Sequence, residues 1–489
     1  MNITRRAVLG GGAGALIAPA ANALQLKHRP QKRRKGRKVN IVLISIDDLN
    51  DYIAPLGGYP GVRTPNMSRL ADMGACFTSA MTHVPVCNPS RASVLTGGAA
   101  HKTGIYYNSQ DWRDSLLPGK GRSIPGQLRA KGWSSIGAGK IFHGFEKFLR
   151  RRDWDDYFVP ENYGKSQNDR GAKRSIWARN HEDDVYDFGP GRRGSKLDIE
   201  VADWAHDKIK SGYLDGSNAF LGIGLYRPHV PTVVSKKWFD YYEGDLPAPP
   251  GFWPGATDYS GNATDLADLP PRAAKLGNEF LGPRLDEFNE HQAFLRSYLA
   301  AVTFTDHQLG RILKALDKAD AMSNTYIVLW SDHGWHLGEK MRFSKQTLWE
   351  RALRVPFMIA GPGIEPQTIA EPVSLLDIYP TIMSLAGLPI PKWCDGRDLS
   401  KTLLKGKPIA DPAAVSVWSR ADEADTESPE IYTSVRTPDY RLISYGEGQY
   451  ELYDHRVDPW EFDNLADTAD PGLIAALEAY LPDHFEPPR

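Results

Sequence analysis

Residues 39–48 read Val-Asn-Ile-Val-Leu-Ile-Ser-Ile-Asp-Asp, an almost continuous apolar run that ends at two carboxylates. Such a run is typical of a central strand in a parallel sheet, because helices cover both faces of that strand. Residues 326–331 have the same character and end at Asp332 and His333. In open α/β sheets, ligands bind beyond the carboxyl ends of the strands. The two runs therefore predict an α/β fold with a large, mostly parallel sheet between helices, and polar side chains gathered at one sheet edge.

The rest of the first 395 residues fits this sheet. The apolar runs 220–225 and 355–359 predict two more strands. Residues 374–386 predict a helix that ends at Gly387. A longer helix is predicted before residue 326, because apolar residues recur there at helical spacing: Leu295, Tyr298, Val302, Leu309, Ile312 and Leu316.

Two polar stretches, 162–194 and 247–278, predict long insertions over the active-site face.

The pattern changes after about residue 396. Short alternating segments separated by turn residues predict a small antiparallel sheet, and a final helix is expected at 473–480. The predicted strands are 414–418, 431–435, 440–445 and 450–453. A chain of 489 residues is too long for one ordinary core. We therefore expect a catalytic domain at 39–395 and a C-terminal α+β subdomain at 396–489.

The first 23 residues resemble an export signal. Arg5 and Arg6 precede a mildly apolar run, and residues 21–23, Ala-Asn-Ala, are typical of a cleavage site. Twin arginines predict export through the Tat translocon, to the periplasm or the medium. An ordinary apolar N-terminal segment is the alternative. The run is too short to be a transmembrane segment, and none is expected elsewhere.

Residues 24–38 form a basic segment, with eight Lys or Arg among residues 27–38. A flexible tether is the favoured interpretation, and an arm for anionic polymers is the alternative. Removing the ten Lys and Arg residues of 1–38 takes the formal net charge from −1 to −11. The remaining body is therefore too acidic for a nucleic-acid-binding protein.

The chain has three cysteines, Cys76, Cys87 and Cys394. An exported protein stabilised by disulfides would carry more. Cys76 and Cys394 could pair, but two separate buried thiols are the favoured interpretation.

Residues 87–97 read Cys-Asn-Pro-Ser-Arg-Ala-Ser-Val-Leu-Thr-Gly. Pro89 suits the first turn of a helix, since its missing N–H costs nothing there. Cys87 is then expected just before the helix N-terminus, where partial positive charge favours anions. Arg91 lies one turn further on the same face. A buried structural cysteine is the alternative, but the complete pattern favours a reactive one.

Four residues at the two strand ends, Asp47, Asp48, Asp332 and His333, predict a metal site. Ligand sets dominated by carboxylates select calcium, magnesium or manganese. Neighbouring acids on a strand point to opposite faces of the sheet. Asp47 and Asp48 can therefore share a metal only if the backbone turns between them.

Four basic groups are candidates for the chemistry around Cys87. Lys140 and His143 lie three residues apart, His229 follows Arg-Pro in a stiff loop, and Lys345 precedes Gln-Thr-Leu-Trp-Glu. Each one alone is more often a solvated or structural side chain. Their occurrence together favours a site that binds an anion and transfers protons.

These motifs together resemble a type I sulfatase of the alkaline phosphatase superfamily, and more narrowly its iduronate-2-sulfatase-like branch. The resemblance covers about residues 39–468. It rests on the stretches 46–49, 87–97, 139–143, 227–231, 331–339 and 345–350, and on Glu451-Leu452-Tyr453-Asp454 with Asp458-Pro459 and Asn464-Leu465. It implies hydrolysis of sulfate esters, with a sulfated carbohydrate as substrate.

The resemblance also implies the cofactors. Cys87 is oxidised by a formylglycine-generating enzyme, and the hydrated aldehyde attacks sulfur and then releases sulfate. Calcium, rather than magnesium or manganese, is expected as the Lewis acid. The implied metal ligands are Asp47, Asp48, residue 87, Asp332 and His333.

The remaining roles follow from the same resemblance. Arg91 and Lys140 are expected to stabilise the hydrated aldehyde, and His143 to move its protons. Lys345 is expected to bind sulfate oxygens, and His229 to protonate the leaving alcohol.

One loop departs from the branch. A basic-proline-acid segment usually follows Thr96-Gly97, whereas this chain has Gly98-Ala99-Ala100-His101. Because this loop shapes the substrate rim, the sugar preference stays open. Two other functions also stay open. One is a phosphodiester or phosphonate monoester hydrolase of the same superfamily, and the other is a non-catalytic glycan-binding relative.

Overall fold

The computed structural model describes residues 39–114, 123–144, 148–161, 188–191, 196–216, 218–252, 266–274, 288–419 and 430–489. The predicted export signal and basic segment lie outside the described residues, as do most of the two predicted insertions.

The strands are β1 (Asn40–Ile46), β2 (Gly74–Phe77), β3 (Ala80–Met81), β4 (Ser134–Gly139), β5 (Asp156–Phe158), β6 (Phe188–Pro190), β7 (Ala219–Leu225), β8 (Thr232–Val234), β9 (Thr325–Ser331), β10 (His336–Leu337), β11 (Phe343–Ser344), β12 (Phe357–Ala360), β13 (Gln367–Ile369), β14 (Val373–Ser374), β15 (Ala414–Ser419), β16 (Ile431–Arg436), β17 (Tyr440–Ser444) and β18 (Tyr450–Asp454). The α-helices are α1 (Pro65–Asp72), α2 (Cys87–Thr96), α3 (Ala100–Thr103), α4 (Ile124–Ala130), α5 (Lys196–Lys210), α6 (Lys236–Phe239), α7 (Phe288–Lys318), α8 (Glu350–Leu353), α9 (Ile378–Leu385), α10 (Ser400–Lys405) and α11 (Pro471–Glu478).

The main sheet has eight strands in the order β13-β2-β12-β9-β1-β7-β4-β5. The predicted central strands β1 and β9 are neighbours, and β1 is parallel to both β7 and β9. Ile46 is in register with Leu225 on one side and with Ser331 on the other. Three strands therefore end at one level, which brings the residues that follow them to one edge.

The strand predicted at 355–359 begins later, at Phe357, and pairs antiparallel with both β9 and β2. Its predicted place in the sheet is confirmed. Among the described strands of this sheet it is the one that reverses direction.

Helices pack on both faces of the main sheet, as predicted. Along β1, Val42 and Ile44 belong to one apolar cluster, whereas Ile41 and Leu43 belong to a second. Side chains alternate between the faces of a strand, so each face of β1 is covered. Every residue of the predicted apolar stripe on α7 is buried in the first cluster.

The C-terminal strands β15 to β18 form a four-stranded antiparallel sheet, and the predicted final helix is α11. Residues just after 396 do not yet belong to this sheet. Leu399 and Leu403 pack into the second apolar cluster of the main sheet. The boundary at 395/396 stays a prediction.

Three observations complete the fold. Among the described residues, no helix combines the length and the apolar character needed to cross a membrane. All three cysteines are free thiols, as favoured above. Cys76 is buried as expected, but Cys394 is only partly buried.

Candidate active site

Four adjacent strands end at one edge of the main sheet. β9 is followed by Asp332, β1 by Asp47, β7 by the loop that carries His229, and β4 by Lys140. The β4–β7 contact needs glycine, because a Cβ on Gly224 would lie 2.2 Å from the carbonyl carbon of Lys140. The predicted residues at the strand ends therefore meet at one place.

The backbone turns at Asp48, as a shared site requires. Asp48 has φ 57°, in the left-handed region that aspartate tolerates better than most residues. Its N–H donates to Asp332 Oδ1 at 3.1 Å. Asp47 and Asp48 can thus share one site with Asp332 although they are neighbours in the chain.

Cys87 is the first residue of α2 and not the residue before it, which corrects the predicted position by one. Its Sγ lies 2.9 Å from Lys345 Nζ, 3.2 Å from His333 Nε2 and 4.0 Å from Asp48 Oδ1. Burial would raise the pKa of the thiol, but the ammonium groups of Lys345 and Lys140 and the His333 imidazole outweigh it. The pKa is lowered well below its usual range.

Arg91 is fully buried and binds carboxylates. Nε donates to Asp332 Oδ2 at 2.8 Å, and Nη2 donates to Asp47 Oδ1 at 2.9 Å. Nη1 donates to the carbonyl oxygens of Lys140 and Ile141. Arg91 therefore holds the two carboxylates in place, and its link to residue 87 runs through them.

Lys140 and His143 contact different members of this arrangement. Lys140 Nζ donates to Asp47 Oδ2. Burial would raise the pKa of Asp47, but Lys140, His229 and Arg91 lower it below its usual range. His143 hydrogen bonds to the Cys87 side chain. Burial lowers the pKa of His143, which favours its neutral form.

The donor set fits a hard divalent cation. Asp47, Asp48 and Asp332 each bring one carboxylate oxygen within 4.8 Å of the others, and Asp48 Oδ2 has no hydrogen-bond partner among the described residues. Nδ1–H of His333 can donate to the carbonyl of Gly334 at 3.0 Å, which leaves the Nε2 lone pair facing Cys87. An unpartnered buried carboxylate oxygen is costly without a cation, so the residues fit the expected metal.

Solvent reaches the site at His229 and Lys345. Their side chains are 16% and 13% exposed, whereas those of Asp47, Asp48 and Asp332 are fully buried. His229 Nε2 lies 3.7 Å from Asp48 Oδ2, while Nδ1 contacts the carbonyl of Val230. His143 is also partly exposed, so solvent reaches three of the basic side chains of the site.

Asp198, a buried residue of α5, was not predicted from the sequence. Its carboxylate accepts hydrogen bonds from the backbone N–H groups of Tyr226 and Arg227, at 2.6 and 3.0 Å. Burial raises the pKa of Asp198 to about 6. Asp198 thereby holds the start of the loop that carries His229. A lone aspartate in an amphipathic helix shows no such role in its local pattern.

The variant loop 98–101 contacts the C-terminal tail. The ring of His101 lies 5.7 Å from that of His83 and 6.3 Å from that of Phe485. The carbonyl of His101 accepts a hydrogen bond from the N–H of Glu486 at 2.7 Å. The segment that follows Gly97 is therefore supported by residues close to the end of the sequence.

A family model described as "Sulfatase" matches residues 39–388, and one described as "N-sulphoglucosamine sulphohydrolase, C-terminal" matches residues 338–483. A sulfatase of Formosa agariphila is 32% identical over 93% of this chain and 88% of its own length. The iduronate 2-sulfatase of Mus musculus is 28% identical over 82% of this chain and 84% of its own.

Among solved structures, the phosphonate monoester hydrolase of Agrobacterium radiobacter has a similar fold. Its TM-score is 0.72 at 20% identity, over 90% of this chain and 94% of that one. This likeness shows the shared fold and leaves the substrate undecided. The family match covers most of the chain, and the relatives carry the predicted activity. The chain belongs to the sulfatase family of the alkaline phosphatase superfamily, and it is a sulfuric ester hydrolase.

Proposed function

We propose that this enzyme hydrolyses sulfate esters of a carbohydrate through a formylglycine at position 87 and a bound calcium ion. One observation carries the proposal. Cys87 lies between a cluster of three buried carboxylates and three basic side chains, Lys345, His333 and His143. A structural cysteine needs no such surroundings.

The metal would be held by Asp47, Asp48, Asp332, His333 and residue 87. When bound, it would supply a Lewis acid for the sulfate oxygens, and formylglycine would supply an oxygen nucleophile in place of the thiol. Calcium is favoured over magnesium because the donors belong to two separate strand ends and a helix start. Calcium accepts such irregular oxygen-rich sets, whereas magnesium demands near-ideal octahedral geometry.

Lys345 and His229 would act on the substrate itself. Lys345 Nζ lies 2.9 Å from both Cys87 Sγ and Asp48 Oδ1, so its ammonium can reach a sulfate placed at residue 87. His229 is the more exposed of the two. It lies in the loop after β7, and its Nε2 is 3.8 Å from Asp47 Oδ2 and 3.7 Å from Asp48 Oδ2. This position suits a group that protonates the leaving alcohol.

Arg91, Lys140 and His143 would support residue 87. Arg91 and Lys140 balance the charge of Asp47 and Asp332, so we assign them to holding the metal ligands as well as the nucleophile. His143, neutral and hydrogen-bonded to residue 87, would move the protons of the hydrated aldehyde.

A sulfated carbohydrate is proposed as the substrate because the similar mouse protein is an iduronate 2-sulfatase. The departure at 98–101 gives no reason to assign iduronate itself. Export through the Tat translocon, a periplasmic or secreted location and maturation by a formylglycine-generating enzyme complete the proposal. They rest on Arg5-Arg6 and on the motif at 87–97.

The same residues weaken one of the two alternatives. A non-catalytic glycan-binding relative would not need the basic groups that surround Cys87. A phosphonate monoester hydrolase shares the fold, and rate comparison on matched sulfate and phosphonate esters separates the two enzymes.

The mass of the peptide that holds residue 87 tests the proposal. In protein made together with a formylglycine-generating enzyme, we expect the aldehyde and measurable turnover of an aryl sulfate. An unmodified thiol in protein that still turns over the aryl sulfate would contradict the formylglycine mechanism. Faster turnover of the phosphonate ester would contradict the assigned substrate class.

A further inference from the structure

The C-terminal sheet reaches the segment that follows Lys345. Arg441, on β17, is fully buried and donates to Glu350 Oε2 and to Glu461 Oε1. The N–H of Glu350 donates to Glu461 Oε2 at 2.8 Å, and the carbonyl of Leu348 contacts Arg441 Nη1 at 3.4 Å. One guanidinium thus ties the start of α8 to the C-terminal subdomain.

A second buried acid contacts the residue in between. Glu451, on β18, accepts a hydrogen bond from Trp349 Nε1 at 2.6 Å. The hydroxyl groups of Tyr445 and Tyr453 donate to the same carboxylate, which is fully buried. Glu451 belongs to a sequence motif for which no role was predicted. We call Arg441, Glu451 and Glu461 the C-terminal clamp.

Lys345 lies in a strained turn. The residues on either side of it, Ser344 and Gln346, have φ of 83° and 67°. Residues other than glycine keep such conformations only where the surroundings enforce them. Before the turn, Ser344 pairs with His336 in the short β10–β11 ladder. After it, Thr347 contacts His336 Nε2 at 2.8 Å, and residues 348–350 make buried contacts with the charged residues of the C-terminal clamp.

We propose that Arg441 and Glu451 are positioning residues that fix residues 348–350 and thereby aim Lys345 at residue 87. The inference rests on the proposed function to the extent that Lys345 acts on sulfate. Arg441 and Glu451 touch neither Cys87 nor Lys345. Their effect on turnover must therefore pass through the geometry of the 344–350 segment.

A metal site at the same place is less well supported. Glu350, His455 and Glu461 bring three potential ligands within 4.8 Å. The guanidinium of Arg441 already bonds both carboxylates, and His455 Nε2 contacts Glu461 Oε1 at 3.0 Å. In contrast to Asp48, neither Glu350 nor Glu461 has a buried oxygen without a hydrogen bond among the described residues, so nothing in this cluster calls for a cation.

The test uses the full-length enzyme with Arg441→Gln, Lys345→Met and the double variant. Arg441→Gln should lower kcat on an aryl sulfate by about 10- to 100-fold, because small misplacements of catalytic groups cost this much. In the Lys345→Met background the same change should add less than about a twofold loss, since coupled residues are not additive. If the loss of kcat in the double variant equals the product of the losses in the two single variants, the proposal is wrong.

Hydrogen exchange gives a reading that does not depend on activity. In Arg441→Gln, exchange in the peptides that cover 343–350 should rise by about tenfold or more, since a local anchor is lost. Unchanged exchange in these peptides would also overturn the proposal. If the wild-type enzyme turns over no sulfate ester, the proposed function fails, and exchange alone decides the role of the clamp.

Two further variants guard against misfolding. Glu451→Gln keeps the shape of the side chain and should raise exchange in the same peptides. Tyr450→Phe is the matched control, because its hydroxyl bonds Glu478 on the far side of the same sheet and contacts no residue of 344–350. A loss of kcat in Tyr450→Phe as large as that in Glu451→Gln would mean that general loosening of the sheet is responsible, and it would contradict the proposal.

Discussion

Two buried charge clusters in this enzyme look alike but differ in one respect. Asp47, Asp48 and Asp332 meet at the strand ends, and Glu350, His455 and Glu461 meet under the C-terminal sheet, each set within 4.8 Å. At the strand ends, Asp48 Oδ2 has no hydrogen-bond partner among the described residues, and its contact with His229 Nε2 is 3.7 Å long. A guanidinium bonds two carboxylates in both clusters, but among the described residues neither Glu350 nor Glu461 has a buried oxygen without a hydrogen bond.

The difference teaches how to recognise a metal site without its metal. Proximity of acidic side chains is shared by both clusters and does not discriminate. A buried oxygen without a hydrogen bond distinguishes a metal site from an ion-pair cluster, because leaving such an oxygen without a hydrogen bond or a cation costs free energy. We therefore propose the strand ends as the metal site and a structural, positioning role for the C-terminal cluster.

The largest expected effect on activity comes from a substitution in the strand-end cluster. Asp48→Asn should lower kcat/KM on an aryl sulfate by about 10³-fold or more, because a Lewis acid contributes several kcal/mol to the transition state. Asparagine tolerates the left-handed conformation of residue 48, so the change removes charge without straining the backbone. Steady-state kinetics measures the loss. Activity within about threefold of wild type would contradict the metal role.

Lys345→Met should come next, with a fall in kcat/KM of about 10²- to 10³-fold, which is typical of losing a donor to a developing anion. Methionine keeps the length of the apolar stem and removes the charge. Lys102→Met is the matched control, because Lys102 pairs with Asp395 at the surface and contacts none of the site residues. Equal losses in the two variants would argue against a role for Lys345 on the substrate.

A substitution in the C-terminal cluster should lower the stability of the folded protein. Arg441→Gln should lower the free energy of unfolding by about 3–5 kcal/mol, because it removes the buried guanidinium that bonds both Glu350 and Glu461. Denaturant unfolding of each purified protein measures the change. Arg456→Gln, which breaks an exposed pair with Asp454, should leave stability almost unchanged. A loss in Arg441→Gln no larger than in this control would show that the buried network contributes nothing.

The smallest expected effect is in the pH dependence of stability. Burial would raise the pKa of Glu461, but Arg441 and His455 lower it to about 2. A carboxyl group whose pKa is lower in the folded state stabilises the fold above its usual pKa, near 4.5. That contribution is lost as the pH falls towards 2. Between pH 4.5 and 2, the stability of Glu461→Gln should therefore depend less steeply on pH than that of wild type. Parallel curves would contradict the assignment.

The sequence predicted the strand-end site because its signals are local. Each ligand directly follows an apolar strand or begins a helix, and parallel strands must bring those ends together. The ten predicted site residues form one cluster that contains Cys87 and the carboxylates of Asp47, Asp48 and Asp332. The mechanism assigned to them stays a prediction, as does the identity of the metal.

The other cluster could not be predicted in this way. Arg441 and Glu350 are 91 residues apart, and neither lies in a pattern that names its partner. The role of Asp198 could not be predicted for the same reason, because it is a single acidic residue on a helix face. Contacts of this kind depend on how two layers pack, which periodicity does not encode.

Metal content tests the central claim most directly. Purified wild-type protein, Asp48→Asn and Glu461→Gln are dialysed against the same calcium concentration. The number of calcium ions per chain is then measured by elemental mass spectrometry. We predict one calcium ion in wild type and in Glu461→Gln, and loss of the ion in Asp48→Asn. Calcium retained in Asp48→Asn but lost in Glu461→Gln would contradict the assignment of the two clusters.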